Sequence, residues 1–142
     1  MDDVTRLRVT SQLIRDEGRR NKMYLDSMGA WTIGIGHNLR DRPISDRAVD
    51  VILSDDLVET EAELVASLPW VTSLSPPRLG VLLNMSYNLG VPGLLQFHRM
   101  LEAMQRLRWE QAADEMRDSK WASQVGERAV RLERQMIEDR WQ

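Results

Sequence analysis

Two carboxylic acids and a hydroxyl stand close together near the start of the chain: Glu17, Asp26 and Thr32, separated by nine and six positions. Glu17 follows Ile14 by three residues and Leu13 by four, so it should share the helix face that turns to the core. It also falls in the last turn of that helix, where the macrodipole disfavours negative charge. Partial burial and the dipole together favour the neutral, proton-carrying form that a general acid needs. Asp26 opens Asp26-Ser-Met-Gly29, a turn sequence. Thr32 lies on the opposite strand face from Trp31, Ile33 and Ile35, a face continued by Gly34 and Gly36 and so open to close approach. A carboxylic acid at a helix end and a carboxylate on the next hairpin are the two unlike acids of glycoside hydrolysis, with the hydroxyl free to hold a water. Taken singly, each residue has a plainer reading: a solvated Glu before a glycine, a turn-forming Asp, a strand-forming Thr.

These side chains need elements to position them. Val4, Leu7, Ser11, Ile14 and Gly18 follow helical spacing and predict a helix over 4–18, stopped by Gly18. Residues 22–37 read as strand, turn, strand, with alternation from Trp31 to His37, and are the one convincing β segment. Ser45 reads as the N-cap of a long helix to Leu68, with Val49, Ile52, Leu53, Leu57, Leu64 and Leu68 on its apolar side and Pro69 as its stop. Ser75-Pro-Pro opens a helix to Gly90 that is apolar nearly all round, which predicts a central position. Three amphipathic helices follow, near 94–107, 109–118 and 125–140. The fold class is α+β, mostly α, with two lobes joined by the 45–68 helix.

Composition narrows the chemistry. At 142 residues the chain is one domain, and 42% hydrophobic with 29% charged residues places it among folded proteins. It has no Cys, which removes thiol nucleophiles and thiolate metal sites, and its two His, His37 and His98, are too far apart for a local metal motif. No metal or cofactor is expected. The net charge of −3 argues against a nucleic-acid binder. That charge is uneven: seven basic and five acidic residues in 1–40, two against eight in 41–63, ten against nine in 64–142. With Arg15, Arg19, Arg20 and Lys22 around Glu17, a locally basic cleft is expected on an acidic protein. Residues 1–17 hold no apolar run of signal-peptide length, and no stretch reaches the ~20 apolar residues of a membrane span. The helix near the C-terminus sets Arg128, Arg131, Arg134 and Arg140 against Glu127, Glu133, Glu138 and Asp139, too neutral for a membrane-disrupting peptide. Gly34-Ile-Gly36 is no dinucleotide fingerprint, since position 39 is Leu.

Leu13-Ile-Arg-Asp-Glu17-Gly, Tyr24-Leu-Asp26 and Trp31-Thr32-Ile-Gly-Ile-Gly-His37 together resemble the signature of the T-even phage lysozyme family, the phage-type endolysins (glycoside hydrolase family 24). Asn84-Met-Ser-Tyr-Asn88-Leu-Gly90 resembles the family's central-helix motif. Arg108-Trp-Glu-Gln-Ala-Ala, Ser119-Lys-Trp121 and Arg128-Ala-Val-Arg131 resemble its C-terminal lobe, so the resemblance covers nearly the whole chain.

The resemblance implies a single lysozyme-like domain, with a β-lobe at about 19–44, an inter-lobe helix at about 45–68, and a helical lobe of about 69–142 that also takes in helix 4–18. It implies an inverting N-acetylmuramidase that cleaves peptidoglycan. Glu17 would be the general acid, Asp26 would position or activate water or stabilise developing positive charge, and Thr32 would assist with that water. Arg128 matches the arginine that pairs with the catalytic Glu across the lobes. Asn88 and Gly34 match substrate-side positions, and Trp121 a tryptophan beneath the active site. His37 matches a structural histidine, for which Asp56 is the best partner and Asp55 the next. Only Asn38 to Pro43 separate His37 from the long helix, which implies a smaller β-lobe and a more open cleft than in the family's best-known members. The implied setting is a monomer, held in the host cytoplasm until a separate holin releases it to the wall, or a tail-associated or excised domain. The alternative from the binding class is a lysozyme-like module that holds wall glycan with little or no cleavage.

Overall fold

Asp2 starts the first helix by accepting the Thr5 backbone N–H on Oδ1 at 2.7 Å, and α1 runs from Asp3 to Glu17. Gly18 ends it at φ +74°, returning its N–H to the Ile14 carbonyl at 3.0 Å. The apolar stripe expected to face the core buries nothing: α1 has no buried residue, Val4, Leu7 and Leu13 are exposed, and so is Glu17. Arg6, Arg8 and Arg15 interrupt the apolar residues, leaving too narrow a stripe to be drawn inward. Desolvation on a core-facing stripe is therefore not what positions Glu17. The chain reversal at Gly18 does that.

The computed structural model describes residues 1–142, in two compact units, Met1–Asp50 and Val51–Gln142. In the first, α1 is followed by an antiparallel sheet of order β1-β2-β3, with β1 at Arg20–Leu25, β2 at Trp31–Gly34 and β3 at His37–Asn38. Register sets Tyr24 opposite Thr32, Leu25 opposite Trp31, Thr32 opposite Asn38 and Ile33 opposite His37. The expected alternation through His37 is broken, because β2 ends at Gly34 and the chain turns at Ile35–Gly36. The faces are also reversed. Trp31 is 49% exposed and Thr32 only 3%, so the hydroxyl lies on the hidden side of the strand. Four residues of strand give too short a pleat for the bulk of one aromatic residue to decide which face is covered.

α2 spans Asp46–Ser67, with Ser45 accepting the Ala48 N–H on Oγ at 3.3 Å. Of its expected apolar side, Leu64 is buried and Leu68 half-buried, while Val49, Ile52, Leu53 and Leu57 are exposed. Asp55, Asp56, Glu59, Glu61 and Glu63 crowd that stretch and keep it wet.

In the second unit, Pro69 breaks the helix into a 3-10 turn at Pro69–Ser73, and Pro76 opens α3 (Pro76–Leu89), which ends at Gly90 with φ +72°. Val81, Leu82, Met85 and Ser86 of α3 are buried, in line with the central position read from its composition. The rest is cut more finely than three helices: α4 (Val91–Leu94), α5 (His98–Gln105), α6 (Trp109–Arg117), α7 (Lys120–Val125) and α8 (Glu127–Glu138). Pro92 fixes the first turn of α4, Ser119 caps α7 through the Ala122 N–H at 3.1 Å, and Gly126 separates α7 from α8. One core joins these helices, and it includes Met85, Met100, Met104, Met116 and Met136, each at most 1% exposed. Arg78 ties α3 to the end of α8: Nε donates to the Met136 carbonyl at 3.0 Å and Nη1 to Asp139 at 2.9 Å. Ser75 also bonds Asp139, and Gln135 donates to the Pro77 carbonyl at 2.8 Å. No helix is long and apolar enough to cross a membrane.

Candidate active site

Glu17 is the last residue of α1, and its carboxyl comes to rest on the β2–β3 turn. A Cβ built at Gly36 would stand 3.0 Å from Glu17 Oε2 and 3.3 Å from its carboxyl carbon. Gly36 adopts φ +68°, so both the backbone conformation and the lack of a side chain suit this approach. The sequence reading placed Gly34 on the substrate side, on the same strand face as Gly36. Gly34 has the same φ of +68° but open space where a side chain would be, so the glycine that meets the acid is Gly36.

Asp26 sits at the far end of β1. Its Oδ1 accepts the N–H groups of Met28 at 2.9 Å and Ala30 at 2.8 Å, the Asx-turn arrangement its sequence predicts. The backbone closes the same turn through Asp26 N to Ala30 O and Gly29 N to Asp26 O, each 3.0 Å. Oδ2 accepts no hydrogen bond from the protein. The turn-forming reading and the chemical one thus coexist in one carboxylate: one oxygen is fixed and the other is left to act. Thr32 stands two residues into the return strand, opposite Tyr24, and its hydroxyl donates to the Ala30 carbonyl at 3.1 Å. With its proton committed, Oγ1 can only accept. The hairpin therefore fixes both Asp26 and Thr32 through Ala30, and the following turn carries Glu17.

The other predicted residues have partners inside their own units. The His37 ring Nε2 lies 3.0 Å from the Arg42 carbonyl, which spans the short loop after β3. Asp56 Oδ2 accepts the Tyr87 hydroxyl at 3.3 Å, and burial followed by the nearby Asp56 charge holds that phenol above its ordinary range. Asn88 Oδ1 accepts the Trp121 indole N–H at 2.8 Å, and Trp121 also meets Phe97 edge-on at 6.1 Å. Arg128 is clamped on α3 by Asn84, through Nε to Oδ1 at 2.8 Å and Nη2 to the carbonyl at 2.9 Å. Sequence reasoning passed over Asn84 as a functional residue. Its signal was its place at the head of the central-helix motif, four residues before Asn88 and so near the same helix face. No group of three or more His, Asp or Glu side chains is arranged to hold a metal ion.

The chain matches the phage lysozyme family over residues 15–136. It is 31% identical to the pre-baseplate central spike protein of Enterobacteria phage T4, an alignment covering 92% of this chain and 28% of that one. The chain thus spans under a third of that relative's length. It is 25% identical to the probable T4-type lysozyme 1 of Dictyostelium discoideum, over 87% of this chain and 90% of that one. The probable T4-type lysozyme 2 of the same organism is 24% identical, over 82% and 86%. A match that takes in Glu17, the β-hairpins, the central helix and α8 leaves one assignment: the chain belongs to the phage lysozyme family.

Proposed function

We propose that the protein hydrolyses the β-1,4 bond between N-acetylmuramic acid and N-acetylglucosamine in peptidoglycan, with inversion at the anomeric carbon. The observation that carries this reading is the division of labour around one sheet: a carboxyl at the end of α1 resting on Gly36, and, in one hairpin, a second carboxylate with one oxygen free and a hydroxyl that can only accept. Glu17 donates its proton to the glycosidic oxygen as the bond to the anomeric carbon breaks. A water gives one hydrogen bond to Thr32 Oγ1 and one to Asp26 Oδ2, which leaves a lone pair to attack that carbon from the opposite face. Asp26 takes the water's proton, Glu17 is left as a carboxylate, and exchange with solvent restores both. The family resemblance supports a substrate-side role for Gly34, Asn88 and Arg128. His37 and Asp56 have structural roles.

Replacing Glu17 by Gln tests this directly. Reducing-end release from purified sacculi should fall by about a hundredfold or more, the usual worth of a general acid. A folded E17Q protein with undiminished release ends the proposal. Products carrying reducing-end muramic acid support hydrolysis, and anhydro products overturn the mechanism. The biological setting we propose is lysis of the bacterial host at phage release, with a separate holin giving access to the wall. Likeness to a spike protein favours a second setting, in which a chain like this acts as part of a larger particle protein.

A further inference from the structure

Among the clefts of the second unit that the candidate site does not use, one is walled by two tryptophans. It has a volume of about 320 Å³, at the lower end for small-ligand sites, and is lined by Trp70, Ser73, Arg78, Gln105, Leu107 and Trp109. We propose that this cleft is a second glycan site that holds an N-acetylhexosamine residue without cleaving it. The inference rests on the functional reading above for why the protein meets such sugars in quantity.

Its walls argue for a neutral ring with one apolar face and a polar rim. Trp70 and Trp109 are half-buried and packed against the core. The Arg78 guanidinium lies 3.8 Å from the centre of the Trp109 ring, and its N–H groups are spent on Met136 O, Ile137 O and Asp139. Arg78 therefore fixes the orientation of the indole and has little left for an anion, which counts against a phosphate or carboxylate ligand. The remaining polar groups suit hydroxyls and an acetamide. Ser73 donates its own proton to Trp70 O at 2.7 Å and keeps an acceptor, and the Gln105 amide is exposed and unpaired.

Leu107 is the second observation. It stands at φ +57° in the α5–α6 turn and is 69% exposed. Leucine is disfavoured in the left-handed region, a position glycine or asparagine takes more readily. An apolar side chain both strained and exposed, at the edge of a tryptophan-lined cleft, is the kind of outlier that marks a ligand contact. Leu107 would cover the ring that the tryptophans support. A second hold on a polymeric glycan would raise the local concentration of strands and slow dissociation between cuts.

The test uses the full chain carrying E17Q, so that the probe survives, with the five tryptophan indole N–H signals resolved by NMR. Titration with chitotetraose should move the Trp70 and Trp109 signals together and to saturation at millimolar probe. The double variant Q105A/L107N alters only exposed side chains, so it should keep the dispersed spectrum and weaken binding at those two signals about fivefold or more. Signals that stay put, or binding unchanged in the double variant, overturn the proposal. Wall hydrolysis by the unmodified chain and by E17Q is measured separately. A failed titration beside a dead E17Q would end the second site alone, and an active E17Q would end the functional reading alone.

Discussion

Glu17 reaches its place because the residue beneath it has no side chain. At Gly36 an alanine would bring a Cβ to 3.0 Å from the Glu17 carboxylate and would have to adopt φ +68°. Glu17 is a flexible side chain and can move away, so the steric cost is small, but the acid would no longer lie where the turn now holds it. G36A should therefore lose activity out of proportion to stability. We expect a melting temperature a few degrees lower, from about 1–2 kcal/mol of left-handed strain, and a fall in kcat measurable on sacculi with KM little changed. If G36A retains full kcat, the position of the acid over this turn is unimportant. Asp26 allows a cleaner separation of fold from chemistry. Asn keeps an oxygen able to accept the Met28 and Ala30 N–H groups but cannot take a proton from water, so D26N should unfold like the parent protein while losing about a hundredfold or more in turnover. The helix end at Glu17, the turn at Asp26 and the strand of Thr32 were legible from residue type and spacing, whereas their proposed chemical roles came only with the family resemblance. Which glycine meets Glu17 was not legible, because Gly34 and Gly36 share a φ and differ only in what the fold brings to them.

The elements divide along the same line. Ends marked by chemistry were readable: Gly18 after α1, Ser45 before α2, Pro69 after it, Ser75-Pro-Pro before α3 and Gly90 at its close. Burial was less readable, since α1 and much of α2 have the spacing of amphipathic helices but too many charges beside it. Short helices were the least readable. Those of four and six residues, α4 and α7, complete too few turns to show a period, though Pro92 and Ser119 announce both. A helix end has a measurable pH signature here. The Thr5 backbone N–H, then its hydroxyl, lower the Asp2 carboxyl below its ordinary value, so the cap is at full strength above that ordinary range and is lost as pH falls through the lowered value. Acid titration should release Thr5 and the first turn of α1 before the sheet, and D2A should show the same loosening at neutral pH by amide exchange. An exchange pattern at Thr5 unchanged by both treatments would mean that the cap does not hold the helix. Within α3, Ser86 Oγ is buried with no hydrogen-bond partner. S86A should be neutral or should raise stability by up to about 1 kcal/mol, read from chemical denaturation.

At the scale of the whole chain, the acidity read from composition is concentrated in residues 41–63, with Arg42 and Arg47 against eight acids, and the remainder carries a small positive excess. An overall charge of −3 is thus compatible with work on an anionic polymer, because screening confines each patch to roughly a Debye length. Sulfur is divided just as unevenly. Met1, Met23 and Met28 are 60–82% exposed, whereas the five methionines of the second unit are sealed in its core. Peroxide should convert the first three to sulfoxides quickly and harmlessly. Each of the other five can react only when its surroundings open, and its oxidation, by making an apolar side chain polar, would hinder closing again. Mass spectrometry of timed peroxide exposures should then show two populations of sites, with lytic activity following the slow one. The methionine core would act as a chemical clock for how often the helical unit opens.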